Sequence, residues 1–125
     1  MNIKSVVIVE DHHDALEVLQ QVVRDAFGSP MLKTATTLAD GFKLLEQQQF
    51  DMALFDLGLP DGNGTELVKY VSDHQPDSIV IVTTIFDDEE HLFNALRCGA
   101  NGYLLKAHSP AELQQYLLDA VAGRP

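Results

Sequence analysis

Three carboxylates, one hydroxyl and one ammonium stand at the ends of apolar runs in this chain. Glu10 and Asp11 follow SVVIV, Asp56 follows MALF, Thr84 closes IVIVTT and Lys106 follows GYLL. Asp56 is the sharpest case. A hydrophobic run leads straight to the acid and then gives way to LGLPDGNG, with its three glycines and a proline. An acid so placed is either a turn or helix cap or a group presented for chemistry. Brought together, three carboxylates repel one another by several kcal/mol in a partly dry cleft. A hard divalent cation such as Mg²⁺ relieves that repulsion, and carboxylate oxygens suit it.

The elements that must position these groups are legible from periodicity. Residues 5–9, 51–55 and 79–83 are short apolar runs without alternation, the pattern of strands buried on both faces. Residues 31–36 read as a weaker strand and 102–106 as a fifth. Helical stripes lie between them: Leu16, Leu19, Val22 and Val23 closed by Gly28; Leu38, Phe42 and Leu45 behind an N-capping Thr37; then Leu67, Val68 and Val71. Residues 89–98 carry a fourth stripe stopped by Gly99, and the capping box SPAE at 109–112 opens a fifth helix. Five strand–helix alternations over residues 1–125 predict a single α/β domain, a doubly wound (βα)5 fold on a five-stranded parallel sheet. Ligands of such sheets bind outside the carboxyl ends of the strands. Glu10, Asp11, Asp56, Thr84 and Lys106 all fall there.

Each of these residues has a plainer explanation taken singly. Asp11 could cap the first helix, Asp56 could be a turn acid, Thr84 a buried β-branched residue and Lys106 an exposed strand end. Their convergence on one sheet edge favours a site. His12 and His13, adjacent at a helix start, lack the i, i+4 spacing of paired ligands and read as surface or capping groups. His91 and His108 receive no role, and DDEE at 87–90 reads as a solvated helix start that favours the dipole.

Composition narrows the function class. Hydrophobic residues make up 46% of 125, which excludes disorder. Nineteen Asp and Glu against eight Lys and Arg give a net charge of −11, which repels phosphate backbones and anionic lipid. Direct nucleic-acid or membrane binding is therefore not expected. Cys98 is the only cysteine, so no internal disulfide forms, and it reads as a small helical core residue. The first apolar run, 6–9, ends at two acids and is no signal peptide, and no stretch is long enough to span a bilayer. A cytoplasmic location is expected.

Together, the pair Glu10-Asp11, Asp56 in FDLGLPDGNG, Thr84 in IVTTIFDDEEH and Lys106 in NGYLLKAHSP resemble the receiver domains of two-component response regulators. The spacing fits as well: Thr84 lies 28 positions after Asp56, and Lys106 lies 22 after Thr84. DHHDALEVL, GANGYLLK and the AVAG ending look most like receivers of LuxR/NarL-type transcription factors. The resemblance spans the whole chain and implies a CheY-like fold. It implies that Asp56 takes a phosphoryl group from a sensor histidine kinase, becoming 4-aspartylphosphate. Asp11 and Asp56 would ligate Mg²⁺ with the Gly58 carbonyl, and Glu10 would assist through water. Lys106 and Thr84 would contact the phosphoryl oxygens, and Thr84 with Tyr103 would form a switch acting on a surface of the fourth helix, fifth strand and fifth helix. That surface would serve homodimerisation or contact with an effector domain. Such a chain is not an enzyme beyond its own phosphorylation and dephosphorylation. Three features vary: Glu10 stands where Asp is common, Ala107 where many receivers have proline, and Phe86 is bulky enough to shield a phosphoryl group. The DNA-binding output domain of this type follows a linker; residues 123–125 read as the start of one.

Rival chemistries fit less well. A haloacid-dehalogenase-type phosphohydrolase needs a second acid two positions after the first, where Gly58 stands. A flavin carrier needs a hydroxyl-rich phosphate loop after the first strand, and EDHHD would repel the phosphate. A phosphorylation-independent pseudo-receiver acting as an adaptor is the alternative, and the complete set of five residues argues against it.

Overall fold

Strands β1 (Ser5–Val9), β2 (Met31–Ala35), β3 (Met52–Asp56), β4 (Ile79–Thr84) and β5 (Gly102–Leu105) form one sheet in the order β2-β1-β3-β4-β5. Every neighbouring pair is parallel. This is the flavodoxin-like arrangement that the alternation predicts. The computed structural model describes residues 2–85 and 89–123. The expected shield at Phe86, the acids Asp87 and Asp88, and Arg124 and Pro125 lie outside the described residues.

Helices α1 (His13–Phe27), α2 (Leu38–Gln47), α3 (Thr65–His74), α4 (Glu89–Arg97) and α5 (Pro110–Val121) cover both faces of the sheet. Neighbouring strand residues point to opposite faces, and the two cores divide accordingly. Val7, Val9, Phe55, Val80 and Val82 pack with residues of α2, α3 and α4 such as Leu45, Leu67 and Ala95. Val6, Ile8, Met52, Leu54 and Ile81 pack with residues of α1 and α5 such as Leu19, Leu113 and Leu117. The central runs lack alternation because both parities are buried. Each large side chain so buried contributes about 1.5–3 kcal/mol. β2, at the edge, exposes Met31 and Lys33 and reads weakly for that reason.

The expected helix caps are present. The Thr37 hydroxyl accepts from the Asp40 N–H at 3.1 Å. Ser109 and Glu112 form a reciprocal capping box, with Pro110 in the first turn. Gly28 ends α1 in the left-handed region at φ 72°, where glycine carries no Cβ penalty.

The amino ends of the strands are knitted shut. The Gln75 side chain accepts from the Phe50 N–H at 2.9 Å and donates to the carbonyls of Leu45 and Gln48, both at 3.0 Å. The Ser78 hydroxyl donates to the Phe50 carbonyl, and Asp51 accepts from the N–H groups of Lys4 and Ser5. The carboxyl ends differ, because acids collect there.

Candidate functional site

Strand register brings the site together. Val9 lies beside Phe55 across the β1–β3 ladder, so Glu10 and Asp56 emerge as neighbours one residue later. Glu10 continues the ladder, its N–H donating to the Ala35 carbonyl at 3.0 Å. β3 and β4 each run one residue beyond the sequence boundary, and Asp56 pairs with Thr83. The ladder continues because the Leu57 N–H still donates to the Thr83 carbonyl. β5 stops at Leu105, one residue short of expectation, yet the Lys106 N–H donates to the Thr84 carbonyl at 2.9 Å. That bond ties the last two site positions to one another.

Side-chain parity does the rest. Glu10, Asp56 and Lys106 follow Ile8, Leu54 and Leu104 onto the α1–α5 side of the sheet. The Lys106 Nζ lies 2.5 Å from Glu10 Oε1 and 3.3 Å from Asp56 Oδ2. Glu10 is fully buried, and Asp56 is 4% exposed. The additional methylene of Glu10, relative to an aspartate, is what carries its carboxylate to the lysine. Thr84 follows Val80 and Val82 onto the other face and is buried at the end of β4. Tyr103 packs on that same face, in register with Val82 one strand away.

The single-residue alternatives can now be judged. Asp11 does not cap α1: the N-cap position is His12, with no side-chain cap bond. Lys106 is not a loose strand end, being paired twice and mostly buried. Asp56 does act as a turn acid, its Oδ1 accepting from the Gly58 N–H at 3.3 Å, and it belongs to the acidic cluster as well. Ligand atoms of Glu10, Asp11, His12 and Asp56 lie within 4.8 Å of one another. Three carboxylates face one lysine there, so the cluster carries surplus negative charge. Buried oxygens with that surplus fit a small divalent cation.

The electrostatics register the crowding. The Asp56 carboxyl is pushed up to about 6, first by burial and then by the charge of Glu10, with Lys106 opposing both. His12 is exposed and occupies the N-cap position of α1, as read for it, without a side-chain cap bond. Its Nδ1 lies 3.2 Å from Asp11 Oδ1 and 3.4 Å from Glu10 Oε2, and its N–H donates to Glu10 Oε2 at 3.1 Å.

The loop after Asp56 is more ordered than a glycine-rich string suggests. Gly58–Leu59 pairs antiparallel with Gly62–Asn63. Asp61 accepts from the N–H groups of Leu38 and Ala39 at 2.7 and 3.0 Å, pinning the loop to the first turn of α2. Those donors hold the Asp61 carboxyl below the ordinary carboxylate range. Sequence reading passed over Asp61, although Asp beside glycine in a loop is the residue type that satisfies orphan helix N–H groups. Gly64 is required by space: a Cβ there would lie 2.0 Å from the Asp56 carbonyl oxygen.

The comparisons agree with this geometry. The family described as "Response regulator receiver domain" matches residues 6–118. The uncharacterized transcriptional regulatory protein YhcZ of Bacillus subtilis is 32% identical over 86% of this chain and 50% of its own length. The oxygen regulatory protein NreC of Staphylococcus epidermidis is 36% identical over 86% of this chain and 49% of its own. The DNA-binding transcriptional activator DevR/DosR of Mycobacterium tuberculosis is 30% identical, covering 95% and 55%. The chain thus spans about half the length of these curated relatives. Among solved structures, a CheY-like receiver domain protein from Methanospirillum hungatei superposes with a TM-score of 0.85 at 27% identity, covering 98% of this chain and 97% of that one. The receiver domain of the NarL regulator of M. tuberculosis gives 0.79 at 27% identity, covering 99% and 100%. Among the described residues, no helix is long and apolar enough to cross a membrane. With the acidic cluster at its strand ends and these similarities across its length, the chain belongs to the response regulator receiver domain family of two-component signalling, and it is of the LuxR/NarL type.

Proposed function

We propose that Asp56 is the phosphoacceptor, taking its phosphoryl group from a phosphohistidine of a sensor kinase in the cytoplasm. An Asp56 carboxylate oxygen bonds to phosphorus as the P–N bond breaks, and the electron pair returns to the imidazole. A carboxylate is a weak nucleophile, so positioning and charge neutralisation carry the step. Burial at the end of β3 and the Gly58 N–H fix the orientation of the carboxylate. Lys106, already 3.3 Å from Asp56, moves onto a developing phosphoryl oxygen, and the Thr84 hydroxyl donates to another. Asp11, Asp56 and the Gly58 carbonyl would hold Mg²⁺, with Glu10 assisting through water, and the ion would supply the remaining positive charge.

The output is read on α4, β5 and α5. Thr84 and Tyr103 share one face of the sheet, so a pull on the Thr84 hydroxyl reaches the tyrosine and α4 behind it. Phe93 and Leu96 on α4 and Tyr116 on α5 are exposed on this side, which suits self-association or contact with an effector domain. Relatives about twice this length that are named as transcriptional regulators support a DNA-binding effector. The net charge of −11 makes this domain itself a poor nucleic-acid binder.

One observation carries the proposal: a buried strand-end aspartate with two acids and a lysine converging on it. Incubation with acetyl phosphate and Mg²⁺, followed by intact mass measurement, tests it. Wild type gains one phosphoryl mass and Asp56→Asn gains none. A persistent adduct on the Asn variant overturns the assignment. No adduct on wild type returns the chain to an adaptor role.

A further inference from the structure

We infer that Asp61 is a positioning residue for the phosphoacceptor site: by fastening the 57–64 loop to the first turn of α2, it fixes the Gly58 carbonyl and so sets the affinity of the site for Mg²⁺. The inference rests on the cation site proposed above. It concerns a residue outside the acidic cluster.

Gly58 belongs to a short hairpin held at both ends. At the near end its N–H donates to Asp56 Oδ1 at 3.3 Å, and the Gly64 N–H donates to the Leu57 carbonyl at 3.0 Å. Along the hairpin Gly58 pairs with Asn63 and Leu59 with Gly62. At the far end Asp61 reaches across to α2. Its Oδ1 accepts from the Leu38 N–H at 2.7 Å and its Oδ2 from the Ala39 N–H at 3.0 Å. Two oxygens of one carboxylate on two successive N–H groups fix its orientation as well as its place. Gly62 backs the contact, since a Cβ there would lie 2.7 Å from Leu38 Cδ2. Buried Leu59 shares a core cluster with Leu38.

α2 does not depend on this carboxylate to begin. The Thr37 hydroxyl already caps it, accepting from the Asp40 N–H at 3.1 Å. The Ala39 N–H stands in an exposed place, where water can satisfy it. The acceptor arriving from 22 and 23 positions along the chain therefore serves the loop, which gains a rigid helix end as its anchor. The helix N–H groups hold the Asp61 carboxyl below the ordinary carboxylate range, so the anchor stays charged near neutral pH, and the helix dipole favours that charge. Supports one step removed from a metal change its affinity by about 10–100-fold when lost.

Mg²⁺ titration of the intact chain, read by calorimetry and by the Gly58 amide resonance, tests this on wild type, Asp61→Ala, Asp61→Asn and Thr37→Ala. Thr37→Ala is the control, because Thr37 caps the same helix end through Asp40 and not through the loop. Both alanine variants should unfold at lower denaturant. Only Asp61→Ala should bind Mg²⁺ about tenfold more weakly, with a displaced Gly58 amide resonance already in the metal-free protein. Asp61→Asn, which keeps one side-chain acceptor, should fall between it and wild type. It decides by the same two readings if Asp61→Ala does not fold. Wild-type affinity in the Asp61 variants, or an equal loss in Thr37→Ala, overturns the inference and leaves the cation site standing. Failure of wild type to bind Mg²⁺ overturns the cation site and this inference with it.

Discussion

At the scale of single residues, Asp56 links stability to chemistry. Its folded-state carboxyl titrates near 6 against 3.8 for the free side chain. Between those values the folded protein holds a proton that the unfolded chain has released, so metal-free stability falls as pH rises through this window. Above it the ionised, buried carboxylate costs on the order of 1–3 kcal/mol. Asp56→Asn should therefore melt above wild type at pH 8 without divalent cations, and the gap should close by pH 4. Thermal unfolding at the two pH values measures it; a gap independent of pH would assign the effect to packing. Glu10 is the second-largest cause of the raised value. In Glu10→Gln that repulsion is gone, and Lys106 loses its 2.5 Å partner and turns to Asp56. The Asp56 titration midpoint, followed by carboxyl carbon chemical shift, should drop below 6 toward the ordinary carboxylate range. An unmoved midpoint would mean burial alone sets it.

At the scale of elements, the 57–64 loop is what presents the site. Gly64 has φ −60°, a value any residue adopts, so its requirement for glycine comes from the Asp56 carbonyl oxygen that a Cβ would strike. Gly64→Ala should destabilise by about 1–3 kcal/mol, the usual cost of overpacking. It should also slow phosphorylation, because relief of the clash moves the Asp56 backbone. Denaturant unfolding and the acetyl phosphate assay separate the two effects, and wild-type phosphorylation kinetics in a destabilised Gly64→Ala would refute the coupling. The strands, helices and caps were readable because each rests on local pattern: SVVIV and MALF by buried parity, SPAE by its reciprocal cap. The shared strand edge was readable because the carboxyl ends of parallel strands are a topological constant. Strand ends slipped by one residue, since the Leu57–Thr83 and Lys106–Thr84 bonds are tertiary facts. Asp61 was passed over for the same reason. Asp61 bonds a helix that begins 23 positions earlier, and the direction of the His12 ring depends on where Glu10 is buried. Neither is written in spacing.

At the scale of the whole molecule, the proposed phosphorylation would act as a change of population. The Lys106–Thr84 backbone bond joins the ends of β4 and β5, so the two strands that flank α4 respond together. The energy available is only a few kcal/mol, which suffices to shift a two-state element. Amide exchange with and without a phosphoryl mimic should show altered protection within residues 89–122. Changes confined to the loops around Asp56 would place the output elsewhere.

The Gln75 network has a bearing on how this domain could be altered by selection or by design. It closes the end of the sheet opposite the acids, joining the ends of α2 and α3 to the starts of β3 and β4. Robustness and reactivity thus reside at opposite poles of one small body, joined through the strands and through helices such as α2, which touches the site loop at its start and the Gln75 network at its end. If the acidic pole carries the proposed phosphoryl group, a lineage that needs a faster or slower lifetime for it could vary the loops there while the other pole keeps the fold assembled. A lineage that must withstand heat can strengthen the Gln75 pole without retuning the timing of its signal.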